Sequence, residues 1–73
     1  MTEQEMFAIM TEILEVNASD LTDEIGPGDI PSWDSLGHIK LISTLEKKID
    51  FELSSDDLMR LESVLDFKQL FIR

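Results

Sequence analysis

The sequence predicts an all-α domain: a small four-helix bundle with one long loop between the first and second helices and a short third helix. Three observations predict it. Ser, Thr or Asp residues suited to capping open four stretches, and apolar residues recur at helical spacing in the three longer ones. From about Asn17 to Trp33 the chain keeps no period and holds Gly26, Pro27, Gly28 and Pro31, which are turn formers. No run alternates convincingly enough to read as a strand. Seventy-three residues leave room for one domain, spanning 1-73.

Thr2 followed by Glu5 is a capping box, and Met6, Phe7, Ile9, Met10, Ile13 and Leu14 continue from it, so a first helix is expected over residues 3 to 16 with Asn17 as its stop. The long loop that follows is expected to be pinned to the core by Leu21, Ile25 and Ile30. Loops of this length in small domains are often functional. A second helix begins at Asp34 or Ser35 and runs to about Ile49, with Leu36, Ile39, Leu41, Ile42, Leu45 and Ile49 as a broad apolar face. Lys47 and Lys48 suit the negative pole at its end. Phe51 and Leu53 alternate with polar residues across a short link. Ser54 or Ser55 caps a short third helix ending near Leu61, and Ser63 with Asp66 opens the last, carrying Val64, Phe67, Leu70 and Phe71. Phe7, Phe67 and Phe71 are expected in the core.

Six basic against sixteen acidic residues give a formal net charge of −10. Such a balance argues against nucleic acid, whose phosphates are bound by Lys and Arg, and against anionic membrane surfaces. It favours basic protein surfaces reached by electrostatic steering. No stretch approaches a membrane span, the N-terminus is acidic where a signal peptide is basic, and there is no cysteine. The expectation is a cytoplasmic monomer. The acidic loop does not make a calcium site: counted from Asp20, the sixth and twelfth positions of an EF-hand loop, Gly and Glu, are here Ile25 and Pro31. At most it attracts divalent ions diffusely, and no metal ligands are assigned.

The chemistry is carried by Trp33-Asp34-Ser35-Leu36-Gly37-His38, where the long loop becomes the second helix. A serine there places its hydroxyl at a helix N-terminus, where unpaired N–H groups and the helix dipole favour an anion such as a phosphate ester. Asp34 is a good N-cap, and Leu36 is an apolar neighbour of the hydroxyl.

The Asp34-Ser35-Leu36 triplet, in an acidic chain of this length and helix order, resembles the acyl carrier protein family. The resemblance runs through Leu45-Glu46-Lys47-Lys48-Ile49, the short helix after Ser55 and the Ser63-Val64 start of the last helix. It implies a 4′-phosphopantetheine on Ser35, flanked by Asp34 and Leu36, whose thiol holds an acyl group as a thioester. It implies a phosphopantetheinyl transferase and acyl-loading and acyl-processing enzymes as partners, and a chain that is not itself an enzyme. Ile39 matches a position that often faces partner enzymes, although its spacing also suits the core. Ile30-Pro31-Ser32-Trp33 stands where Leu-Gly-x is usual, and Lys40, Lys47 and Lys48 outnumber Glu46 along a helix that is strongly acidic in many fatty-acid carriers. Acid concentrates instead at Asp20, Asp23, Glu24, Asp29, Asp50, Glu52, Asp56 and Asp57. Lys40 and its basic neighbours, with the acidic loops, are therefore expected to set which partners dock, and the balance leans toward a polyketide or other specialised pathway over housekeeping fatty-acid synthesis. Two alternatives stand beside the acyl carrier: an aminoacyl or peptidyl carrier, and an unmodified acidic helical adaptor.

Trp33 suits either a partner contact or a lid closing the loop over the core. His38 lies one turn after Ser35 on the same face. A Ser-His nucleophile pair is rejected, because the sequence offers no orienting third group in evident reach, no recognisable oxyanion scaffold and little room for a pocket. His38 is expected at the surface, where a phosphate on Ser35 would raise its pKa.

Overall fold

The computed structural model describes residues 1–72. They form α1 (Glu3–Leu14), a 3₁₀ turn (Ala18–Asp20), α2 (Ser35–Ile49), α3 (Ser55–Met59) and α4 (Val64–Phe71), and no strand among the described residues. The Cα radius of gyration is 11.0 Å, close to the roughly 11 Å expected of a compact chain of this length.

Each helix starts where a local signal dictates. Thr2 Oγ1 accepts the Glu5 N–H at 3.1 Å while Glu5 Oε1 accepts the Thr2 N–H at 3.0 Å, which completes the expected box. Asp34, Ser54 and Ser63 each accept a backbone N–H three residues on, from Gly37, Asp57 and Asp66. Two of the ends differ, those of α1 and α3. α1 stops at Leu14, two residues before the expected end, because Glu15 turns left-handed with φ 55° and sends its N–H back to the Thr11 carbonyl. Asn17 is not the stop; it opens the 3₁₀ turn, with its N–H on Asp20 Oδ2 at 3.2 Å. α2 ends at Ile49, as expected, where Asp50 turns left-handed with φ 53°. α3 ends at Met59 instead of near Leu61, which lies beyond the helix and is buried.

The core is built by Met6, Met10 and Leu14 of α1, Leu41 and Leu45 of α2, and Val64, Phe67 and Phe71 of α4. Leu21, Trp33, Leu53 and Leu61 close it from the connecting segments. A side chain of this size contributes about 1.5–3 kcal/mol when fully buried. Phe67 is central, edge-on to Trp33 at 5.7 Å between centroids and stacked on Phe71 at 5.9 Å. Phe7 lies at the margin, with Lys68 Nζ 5.5 Å from its ring centre. Glu46 Oε2 holds the Leu53 N–H at 2.7 Å, which fixes the link so that Leu53 turns in and Phe51 is exposed.

The long loop is docked on α4. The first two N–H groups of α4 find backbone acceptors in the loop: Val64 donates to Ile25 O at 2.8 Å and Leu65 to Asp23 O at 3.1 Å. With Ser63 capping Asp66 and Phe67 N–H on Ser63 O, the whole first turn is satisfied. Lys68 ties three elements together, reaching Asp23 of the loop at 2.7 Å and Glu3 of α1 at 3.2 Å. Leu21 is buried and Ile25 and Ile30 are partly so, as expected.

The apolar face expected of α2 divides. Leu41 and Leu45 are buried and Ile42 and Ile49 partly buried, but Leu36 and Ile39 are 62% and 61% exposed. At about 100° per residue, His38 lies in line with Leu41, Ile42, Leu45 and Ile49, while Leu36 and Ile39 fall about 160° and 100° around the helix from it. The inward position in the first part of α2 is taken by the histidine.

Candidate functional site

Ser35 is the first residue of α2 and is exposed. Asp34 fixes that start: its Oδ1 accepts the Gly37 N–H at 2.8 Å and its carbonyl accepts the His38 N–H at 2.8 Å. The N–H groups of Ser35 and Leu36, ahead of these, meet no acceptor among the described residues. They are the donors that a helix N-terminus offers to an anion. The Ser35 hydroxyl therefore combines open access, a rigid base and unfilled donors, which fits a phosphate ester at its oxygen. Leu36 and Ile39, with the exposed Lys40, flank it as outward-facing side chains.

Gly37 is required by the packing of this junction. A Cβ on it would collide with the carbonyl oxygen of Ser32, so the loop can cross this close only over a glycine. The Ser32 hydroxyl is buried here without a hydrogen-bond partner among the described residues.

Trp33 is a lid. It is 0% exposed and packs on Phe67, so its side chain offers no surface to a partner, and of the two roles open to it the partner contact is corrected. His38 is also corrected. It is half-buried, its ring edge-on to Phe67 at 5.8 Å, and its Nδ1 accepts the Trp33 indole N–H at 3.0 Å. Burial pushes its pKa below the usual histidine value. No hydrogen bond links it to Ser35 among the described residues, and Nδ1 is already occupied.

Sequence reasoning missed the Trp33–His38 bond, although a signal was present. Trp33 directly precedes the N-cap and His38 is the fourth helical residue, the two positions that meet in a hydrophobic staple. An indole N–H entering a core needs an acceptor, and His38 is in place to supply one.

A hollow of about 410 Å³ opens elsewhere, lined by residues of α3, α4 and the link between them that include Met59, Leu61 and Leu70. It does not include the Ser35 junction. Among the described residues no three His, Asp or Glu side chains converge as a cation site, and no helix is long and apolar enough to cross a membrane. No protein-family model matches the sequence.

Proposed function

We propose that this chain is a carrier that holds acyl groups as thioesters on a 4′-phosphopantetheine arm attached to Ser35. The observation that carries the reading is the exposed Ser35 hydroxyl at the capped start of the fifteen-residue helix α2, inside Asp34-Ser35-Leu36. The bound group would supply a thiol that takes up the acyl chain. This chain's part is to hold the ester oxygen on a fixed helix end, to leave the Ser35 and Leu36 N–H groups facing the phosphate, and to keep the arm clear of the core. Tethering raises the effective concentration of cargo at each docked enzyme. Leu36, Ile39 and Lys40 border the attachment point as the surface a transferase or acyl-processing enzyme meets, while acid elsewhere steers basic partners. Trp33 supports that surface from beneath. The four-helix arrangement with its long loop is, on this reading, that of an acyl carrier.

The test is intact mass spectrometry after incubation with coenzyme A and a broad-specificity phosphopantetheinyl transferase, with Ser35→Ala as control. The expected result is one phosphopantetheinyl addition, absent from the variant. No addition with several transferases sinks the carrier and favours the unmodified adaptor. Loading by an adenylating enzyme in place of an acyltransferase would assign an aminoacyl cargo.

A further inference from the structure

Trp33 and His38 join the loop to α2 from opposite sides of the Asp34 cap. An indole nitrogen can only donate, and an imidazole Nδ1 accepts only while it carries no proton. Their bond at 3.0 Å therefore exists for one protonation state of His38, the neutral ring with its hydrogen on Nε2. Trp33 is also tied through its backbone, its N–H on Ile30 O at 2.9 Å and its carbonyl accepting from Gly28 N–H at 2.8 Å. A displacement of the indole is thus passed to the loop on one side and to the helix cap on the other.

The groups facing His38 are the indole of Trp33 from the loop and the ring of Phe67 from α4, neither of which titrates. Of the charged residues nearest along these elements, Lys40 of α2 is exposed and the others are engaged elsewhere. Asp34 Oδ1 holds the Gly37 N–H, Asp66 Oδ2 holds the Glu62 N–H and the Ser63 hydroxyl, and Lys68 holds Asp23 and Glu3. Among the described residues no carboxylate is hydrogen-bonded to the indole or to the imidazole, and burial alone shifts the His38 pKa.

We propose that Trp33 and His38 form a proton-gated latch on the junction that presents Ser35, closed while His38 is neutral and opened when a proton on Nδ1 sets donor against donor. Burial holds the folded-state pKa of His38 below its ordinary 6.5. The latch is therefore closed at neutral pH. Its contribution is full above 6.5 and is lost as the pH falls through the lower, folded-state value. The proposal rests on residues 33 to 38 as they pack and not on what Ser35 carries, so it and the carrier reading fail separately.

The experiment is an NMR titration of the full unmodified chain from about pH 8 to about pH 5, with far-UV circular dichroism to follow helix content. The Trp33 indole N–H and the Gly28 and Gly37 amides are expected to shift with the midpoint of the His38 ring while helix content holds. Protection of the indole N–H, corrected for intrinsic exchange, is expected to fall about fivefold, the ratio equivalent to one net hydrogen bond. His38→Gln keeps an acceptor that does not titrate and should abolish the step with the indole still protected. His38→Phe keeps the ring packing without an acceptor and should leave the indole unprotected at every pH; if that variant does not fold, His38→Gln decides. The same pH step in His38→Gln, or an indole signal that does not follow the His38 midpoint, overturns the latch.

Discussion

The carbonyl of Ile25, in the middle of the long loop, accepts the Val64 N–H at the start of α4 at 2.8 Å. This bond and its neighbour from Leu65 to Asp23 make the loop a cap for a helix nearly forty positions away. The closeness they require is visible at Gly26, where a Cβ would run into the carbonyl oxygen of Glu62.

Gly26→Ala should therefore push the loop off α4, unpairing the Val64 and Leu65 N–H groups. The expected loss is about 1–3 kcal/mol, the usual cost of overpacking against an unyielding neighbour. Urea denaturation measures it, and an unchanged midpoint would show that the loop yields freely.

Gly37→Ala should also destabilise, against the local rule. Within an exposed helix, replacing Gly by Ala gains about 1 kcal/mol. Here the methyl group meets the backbone of Ser32, and backbone cannot swing aside as a long side chain does. Loss of roughly 1–3 kcal/mol is expected, read by the same denaturation. A stabilised variant would mean that residues 32 to 37 move apart without cost.

The alkaline side of the stability profile should carry the signature of Lys68. Its hydrogen bond to Asp23, and then that to Glu3, raises its pKa above the ordinary 10.5. A raised folded-state value gives stabilisation that is complete below 10.5 and disappears as the pH rises through the folded-state pKa. Because these are surface pairs the effect is small and weakens with salt. Thermal denaturation of Lys68→Met across that range should lack the decline attributable to this group. An identical decline in both proteins would assign it elsewhere.

Helix starts were legible because each is written within four residues. Thr2 with Glu5, Asp34 with Gly37, Ser54 with Asp57 and Ser63 with Asp66 are contacts between near neighbours, and the side chain that caps names itself. The exposed place of Ser35 at the head of α2 was legible for the same reason. The end of α2 at Ile49 was legible too, but that of α1 was not: Glu15 adopts the left-handed conformation that glycine usually marks, and nothing in its side chain announces it.

Which side chains around Ser35 turn inward was legible in part. Counting apolar residues put Leu36 and Ile39 on the apolar face of α2, yet at about 100° per residue both fall off the line of Leu41, Leu45 and Ile49; what only the tertiary structure decided is that Trp33 and Phe67 pack against His38, the residue that does lie on that line. Nor does any residue type foretell that the carbonyls of Asp23 and Ile25 complete α4, because every residue has a carbonyl and only the path of the chain brings those two to the helix. The sequence by itself determined where the helices begin and where the reactive hydroxyl stands, through hydrogen bonds that span three residues. Packing between segments far apart in the chain decided what supports that hydroxyl, because steric fit and backbone pairing depend on position in space and leave no local mark.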